Sequence, residues 1–141
     1  MNKARNPIIV ALDVPNASQA LKLAEEVAPA VGAFKIGSEL FTSAGPEIVK
    51  RIRGTGAWVF LDLKYHDIPN TVAKAIASAV QLDVQMLTVH TSGGTEMMRA
   101  AETSAHETAK TLGKEAPLVL GATVLSSMDS GQMSELGPEA M

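Results

Sequence analysis

Five short apolar runs, each followed by enough chain for a helix, constrain this sequence more than any other feature. They are Ile8–Val14, Ala33–Gly37, the run opening at Trp58, Asp83–Val89 and Pro117–Val124. No Asn-Gly or Asp-Gly turn joins one run to the next, so hairpins are not indicated. The intervening stretches carry helical periodicity instead. Asn16 or Ser18 can cap a helix running to about Ala28, with Leu21, Leu23, Ala24 and Val27 as its apolar stripe and Lys22, Glu25 and Glu26 facing water. Pro29 and Gly32 end it. Gly45-Pro46 opens a second helix, with Ile48, Val49 and Ile52 inward and Lys50, Arg51 and Arg53 outward. Thr71–Val80 reads as a third, burying Val72, Ala75, Ile76 and Ala79. Thr95 to about Leu112 reads as a fourth, with Glu102, His106 and Lys110 polar, and Ser126-Ser-Met-Asp129 can cap a further one. Alternating strand and helix argues parallel βαβ units. Right-handed crossovers would then bring every strand's C-terminal end to one face.

The residues at those ends are charged. Asp13 closes the first run and Lys35 lies inside the second. Asp62 and Lys64 enter the third two residues apart, so strand alternation puts both on one face, and Asp67 follows before Pro69 opens a helix. Charge is rarely placed on a buried strand unless it is paired or functional. A structural salt bridge between Asp62 and Lys64 satisfies that rule as well as a reactive site does. Lys35 alone reads equally as an edge residue. His90 reads first as a hydrogen-bonded strand-end residue, ahead of a catalyst or metal ligand. Gly93-Gly94 allows a tight turn and leaves amide groups at a helix start, a weak anion-site signal because glycine pairs also serve as plain turns. With Ser126, the residues Asp13, Lys35, Asp62, Lys64 and Asp67 would share one rim, where parallel α/β folds place their sites.

Order alone does not choose between an open doubly wound sheet and part of a closed barrel. Neither the glycine fingerprint of a dinucleotide-binding sheet nor a P-loop is present, which favours the barrel. Length (141 residues) fits one domain, and a net charge of −3 gives no case for a nucleic-acid or membrane-surface partner. The absence of cysteine excludes disulfides, thiolate metal sites and cysteine nucleophiles. The polar opening, Met1–Pro7, lacks a signal-peptide apolar region, and no apolar stretch reaches membrane-span length. A cytoplasmic location is therefore the expectation.

The stretch Asp62-Leu-Lys-Tyr-His-Asp-Ile-Pro-Asn-Thr71 resembles the D-x-K-x-x-D-I-P-N-T signature of the orotidine 5′-phosphate decarboxylases. Ala-Leu-Asp13, Phe-Lys35-Ile-Gly, Val-His90-Thr and Val-Leu-Ser126-Ser-Met-Asp match the same family in the same order. The ten-residue signature is specific, whereas each flanking match is weak alone.

The resemblance implies a TIM-barrel decarboxylase of pyrimidine biosynthesis, acting on orotidine 5′-monophosphate as a homodimer without metal or organic cofactor. Carried over by position, Lys64 is the proton donor to C6 of the pyrimidine. Asp62 lies beside the substrate carboxylate and forms a charged array with Lys35, Lys64 and Asp67. Asp67, Ile68 and Thr71 reach the other subunit's site, Asp13 and Lys35 hold the ribose hydroxyls, and Ser126 contacts the pyrimidine ring. The residue types suit the reaction, since a carbanion at C6 has little delocalisation and fixed positive charge must stabilise it. An ammonium supplies that charge and the proton.

A TIM barrel typically takes about 250 residues, and family members continue well beyond position 141. The expectation is that residues 1–141 are the N-terminal five-strand part of a (β/α)8 barrel. This incomplete domain would be C-terminally truncated or a partial reading frame. The remaining strands, the phosphate-binding loop and a glutamine-bearing lid would be absent, and the closing residues Glu135–Met141 give no sign of a natural end. A catalytically inactive half-barrel is therefore the alternative to an active enzyme. A sister phosphosugar decarboxylase or aldolase would show Ala-Gly after the second aspartate and use magnesium. Ile68-Pro-Asn-Thr71 favours the nucleotide enzyme.

Overall fold

The computed structural model describes residues 6–137. The start of the polar N-terminal stretch (1–5) and the closing residues 138–141 lie outside the described residues. Five strands form one parallel sheet: β1 (Ile9–Ala11), β2 (Ala33–Gly37), β3 (Trp58–Tyr65), β4 (Met86–His90) and β5 (Leu118–Ala122). Their order in the sheet is their order in the sequence, each strand pairing in parallel with the one before it. A doubly wound sheet reverses its strand order at a switch point. An unreversed run of strand-helix units is how the first five units of a (β/α)8 barrel are arranged.

The helices are α1 (Ala17–Val27), α2 (Ser38–Ala44), α3 (Glu47–Arg53), α4 (Pro69–Gln81), α5 (Gly94–Thr111) and α6 (Ser130–Glu135). Asn16 caps α1 by accepting from the Gln19 amide, and Asp129 caps α6 in a reciprocal capping box with Gln132. In α1 the fully buried residues are Ala20 and Ala24, while Leu21, Leu23 and Val27 pack half-buried around them. Helix α2 has no counterpart in the sequence reading. Its seven residues bury only Leu40, too little for a periodic signal. Strands β1, β4 and β5 are shorter than the apolar runs that hold them. β4 starts at Met86 rather than Asp83 because Asp83 adopts φ 65, a turn conformation.

The sheet buries one face. Leu12, Phe34, Ile36, Val59, Leu61, Leu87 and Val89 are all buried against the helices, with Ile48, Ile52, Ile76, Met97 and the alanine stripe Ala101, Ala105 and Ala109 opposite. Alternation sends the other set (Ala11, Lys35, Phe60, Asp62, Met86, Thr88, Leu118 and Leu120) to the opposite face. No described helix covers that face, and Ile9, Leu118 and Leu120 remain 45%, 60% and 39% exposed. The charged residues stand at its C-terminal rim.

Candidate functional site

The centre of the rim is an irregularity in β3. Leu61 pairs with Leu87 and Tyr65 with Val89, so four steps along β3 match two along β4. Such a bulge re-aims side chains and is frequent beside active sites. Lys64 takes up the excess with φ 50, a left-handed conformation uncommon for lysine. Asp62 and Lys64 consequently converge, with Lys64 Nζ 2.9 Å from Asp62 Oδ1. The carboxylate is the more enclosed partner, at 16% exposure against 38% for the lysine.

Thr88 lies across from the bulge and is buried. Its hydroxyl accepts from the Lys64 amide at 2.8 Å and donates to Asp62 Oδ1 at 3.0 Å. Nothing in the sequence singles this residue out, because one threonine in an apolar strand is an ordinary β-former. Only the bulge gives it a special position.

A second ion pair stands alongside. Lys35 Nζ donates to Asp13 Oδ1 at 3.0 Å, with Asp13 the more exposed. Gly37 links the two pairs: it is in register with Asp62, and a Cβ there would lie 3.3 Å from Lys35 Nζ and 3.7 Å from Asp13 Oδ1. A side chain there would crowd the Lys35 ammonium, which would have to shift by a few tenths of an ångström.

Among the described residues, the remaining predicted site residues make no ion pair with these two pairs. Asp67 forms no ion pair among the described residues and instead accepts from the Ile68 amide at 2.6 Å, at the entry to α4. Of the four residues in the charged array implied by the resemblance, only Asp62 and Lys64 pair with each other within one chain; Lys35 pairs with Asp13, and Asp67 stands detached. Ile68 is 66% exposed, Thr71 is exposed on the first turn of α4, and Ser126 is exposed in the loop after β5. His90 takes the bland reading: its Nδ1 accepts from the Ser92 amide, and its ring stacks on His66 with centroids 5.2 Å apart. The glycine pair has a packing explanation. Gly94 needs φ 84, and a side chain at Gly93 would collide with Met97.

Chemically, the rim offers two cations held by two carboxylates on a face open to a ligand. This defines a parallel (β/α)-barrel type of protein with its charge at the strand C-terminal ends. Residues 6–140 match the orotidine 5′-phosphate decarboxylase / HUMPS family, and the chain belongs to it. It is 48% identical over 135 residues to the orotidine 5′-phosphate decarboxylase of Sodalis glossinidius, covering 96% of this chain and 52% of that protein. It is 50% identical over 133 residues to the one from Syntrophomonas wolfei, covering 94% and 56%. Among solved structures, an uncharacterized conserved protein from Geobacillus kaustophilus superposes with TM-score 0.84 at 36% identity, over 92% of this chain and 60% of that one. The orotidine 5′-phosphate decarboxylase of Lactobacillus acidophilus gives 0.81 at 33%, over 92% and 58%. The Methanocaldococcus jannaschii enzyme complexed with the inhibitor BMP gives 0.72 at 30%, over 96% and 59%. The chain spans about half the length of the curated relatives it matches. No described helix is long and apolar enough to cross a membrane.

Proposed function

We propose that the barrel to which this chain contributes five strands decarboxylates orotidine 5′-monophosphate to uridine 5′-monophosphate, with Lys64 as the proton donor. The observation that carries the reading is the Lys64–Asp62 pair gathered over Thr88 at the β3 bulge, within the stretch that bears the family signature. The bond between C6 and the carboxylate breaks, its electron pair stays on C6, and carbon dioxide leaves. The Lys64 ammonium faces the developing charge and delivers a proton to C6. Asp62 sits beside the departing carboxylate and keeps the ammonium in place. Lys35 and Asp13 hold the ribose hydroxyls, and Ser126 reaches the pyrimidine ring.

Asp67, Ile68 and Thr71 belong in this proposal to a homodimer interface, completing the partner's site. Their exposure and the detachment of Asp67 from both lysines support that assignment. Residues 1–141 form one part-barrel domain, and the grip on the substrate phosphate falls in the half of the barrel outside the matched region. Binding energy from that remote phosphate helps force the reacting group into the array. The 141-residue chain by itself is therefore a weak or inactive catalyst. The test, run on the barrel completed by its second half, is ultraviolet absorbance of orotidine 5′-monophosphate with Lys64→Ala in parallel. Lys64-dependent loss of substrate supports the reading, and magnesium-dependent turnover of a sugar phosphate in its place overturns it.

A further inference from the structure

We propose that Thr88 is a positioning residue that holds Lys64 over Asp62 for proton delivery. The inference rests on Lys64 being the proton donor. Thr88 is 6% exposed and is the buried polar residue of the described core. Its hydroxyl has one proton to give and lone pairs to receive. The Lys64 amide can only donate, so at 2.8 Å it occupies a lone pair and leaves the hydroxyl proton for Asp62 Oδ1, 3.0 Å away. That same oxygen receives Lys64 Nζ at 2.9 Å. The bonds close a ring from the Lys64 backbone through the Thr88 hydroxyl and the Asp62 carboxylate back to the Lys64 ammonium. One hydroxyl thus fixes both ends of one lysine.

The bulge explains why this position carries the role. Between the paired positions Leu61–Leu87 and Tyr65–Val89, the only β4 residue is Thr88, facing Asp62, Leu63 and Lys64. A bulged strand has lost its ladder bonds there, and the Thr88 hydroxyl supplies a partner for the Lys64 amide in its left-handed conformation. Valine keeps the shape and removes the hydrogen bonds, whereas serine keeps the hydroxyl.

The experiment is competitive trace acetylation of the full chain with acetic anhydride, read by mass spectrometry as Lys64 labelling relative to exposed Lys74. Lys35, paired with Asp13 and not touching Thr88, is the internal control. Thr88→Val is expected to raise Lys64 labelling roughly threefold to tenfold, the range that one hydrogen bond of ordinary net strength supports. Lys35 should not change, and Thr88→Ser should restore the parent value. Unchanged Lys64 labelling in Thr88→Val, or a rise in Thr88→Ser as large as in Thr88→Val, overturns the proposal. If Thr88→Val does not fold by circular dichroism, Thr88→Ala against Thr88→Ser makes the same comparison, and equal labelling of that pair overturns it. The labelling needs no turnover. Expected labelling without decarboxylation would remove the reaction and leave Thr88 holding Lys64, and decarboxylation without the labelling change would do the reverse.

Discussion

Lys64 is held at both ends, yet its side chain remains more than a third exposed. Exposed ion pairs contribute little to stability, commonly under about 1 kcal/mol. Lys64→Ala is therefore expected to shift the free energy of unfolding by less than about 1 kcal/mol, read from the urea midpoint. A loss of several kcal/mol would instead make the Asp62–Lys64 pair a structural staple. At this scale the sequence was informative where chemistry is local. Asp62 and Lys64 on one strand, two residues apart, do meet, and Asp13 and Lys35 stand on the same rim. Thr88 was not legible, since its meaning depends on a bulge in a neighbouring strand and on register between segments 24 residues apart. Nor did the residues reveal that Asp67 would turn back to its own chain's Ile68 amide.

Between elements, the opposite end of the sheet is held by Asp83. Its carboxylate accepts from Arg53 Nε and Nη2 at 3.0 and 2.9 Å and from Lys114 Nζ at 3.0 Å, tying the end of α3 to the loop before β5. Arg53 Nη1 also donates to the Ala57 carbonyl just ahead of β3. Burial pushes the Asp83 carboxyl up, but the hydrogen bonds from Lys114 and Arg53 outweigh it and leave it below the ordinary carboxylate value of 3.8. A carboxyl lowered by folding stabilises the native state above its unfolded value, and this contribution is lost as pH falls through the folded value. Asp83→Asn is thus expected to cost about 1 kcal/mol near neutral pH, discounted for the partial exposure of the group. The gap from the parent protein should stay constant down to about pH 5 and narrow below about pH 4. Urea unfolding at several pH values checks this, and a gap that widens in acid would contradict it. Element type was legible here because α3, α4 and α5 repeat their apolar residues at helical spacing. Helix α2 was not, with seven residues and one buried leucine. The start of β4 is not legible because the aspartate that heads its apolar run takes a turn conformation, φ 65, that composition does not show.

For the molecule as a whole, the unbroken order β1 to β5 leaves one sheet face under the helices and the other open. Strand-helix alternation and the missing glycine fingerprints pointed to a barrel, and the sheet order bears that out. Open apolar residues and unpaired strand edges favour association. The chain is expected to show a mass by light scattering that rises with concentration, and Leu118→Lys with Leu120→Glu should reduce the rise while preserving the circular dichroism spectrum. A monodisperse monomer at all concentrations would contradict the open face. The chemistry at the rim is tested most sharply by joining this chain to the second half of the Syntrophomonas wolfei relative and following orotidine 5′-monophosphate decarboxylation by ultraviolet absorbance. Such a barrel should turn the nucleotide over, and Lys64→Ala should bring the rate to background with the far-ultraviolet circular dichroism spectrum unchanged. A folded barrel that turns over equally well without Lys64, or that binds the nucleotide and never decarboxylates it, would contradict the role given to this lysine.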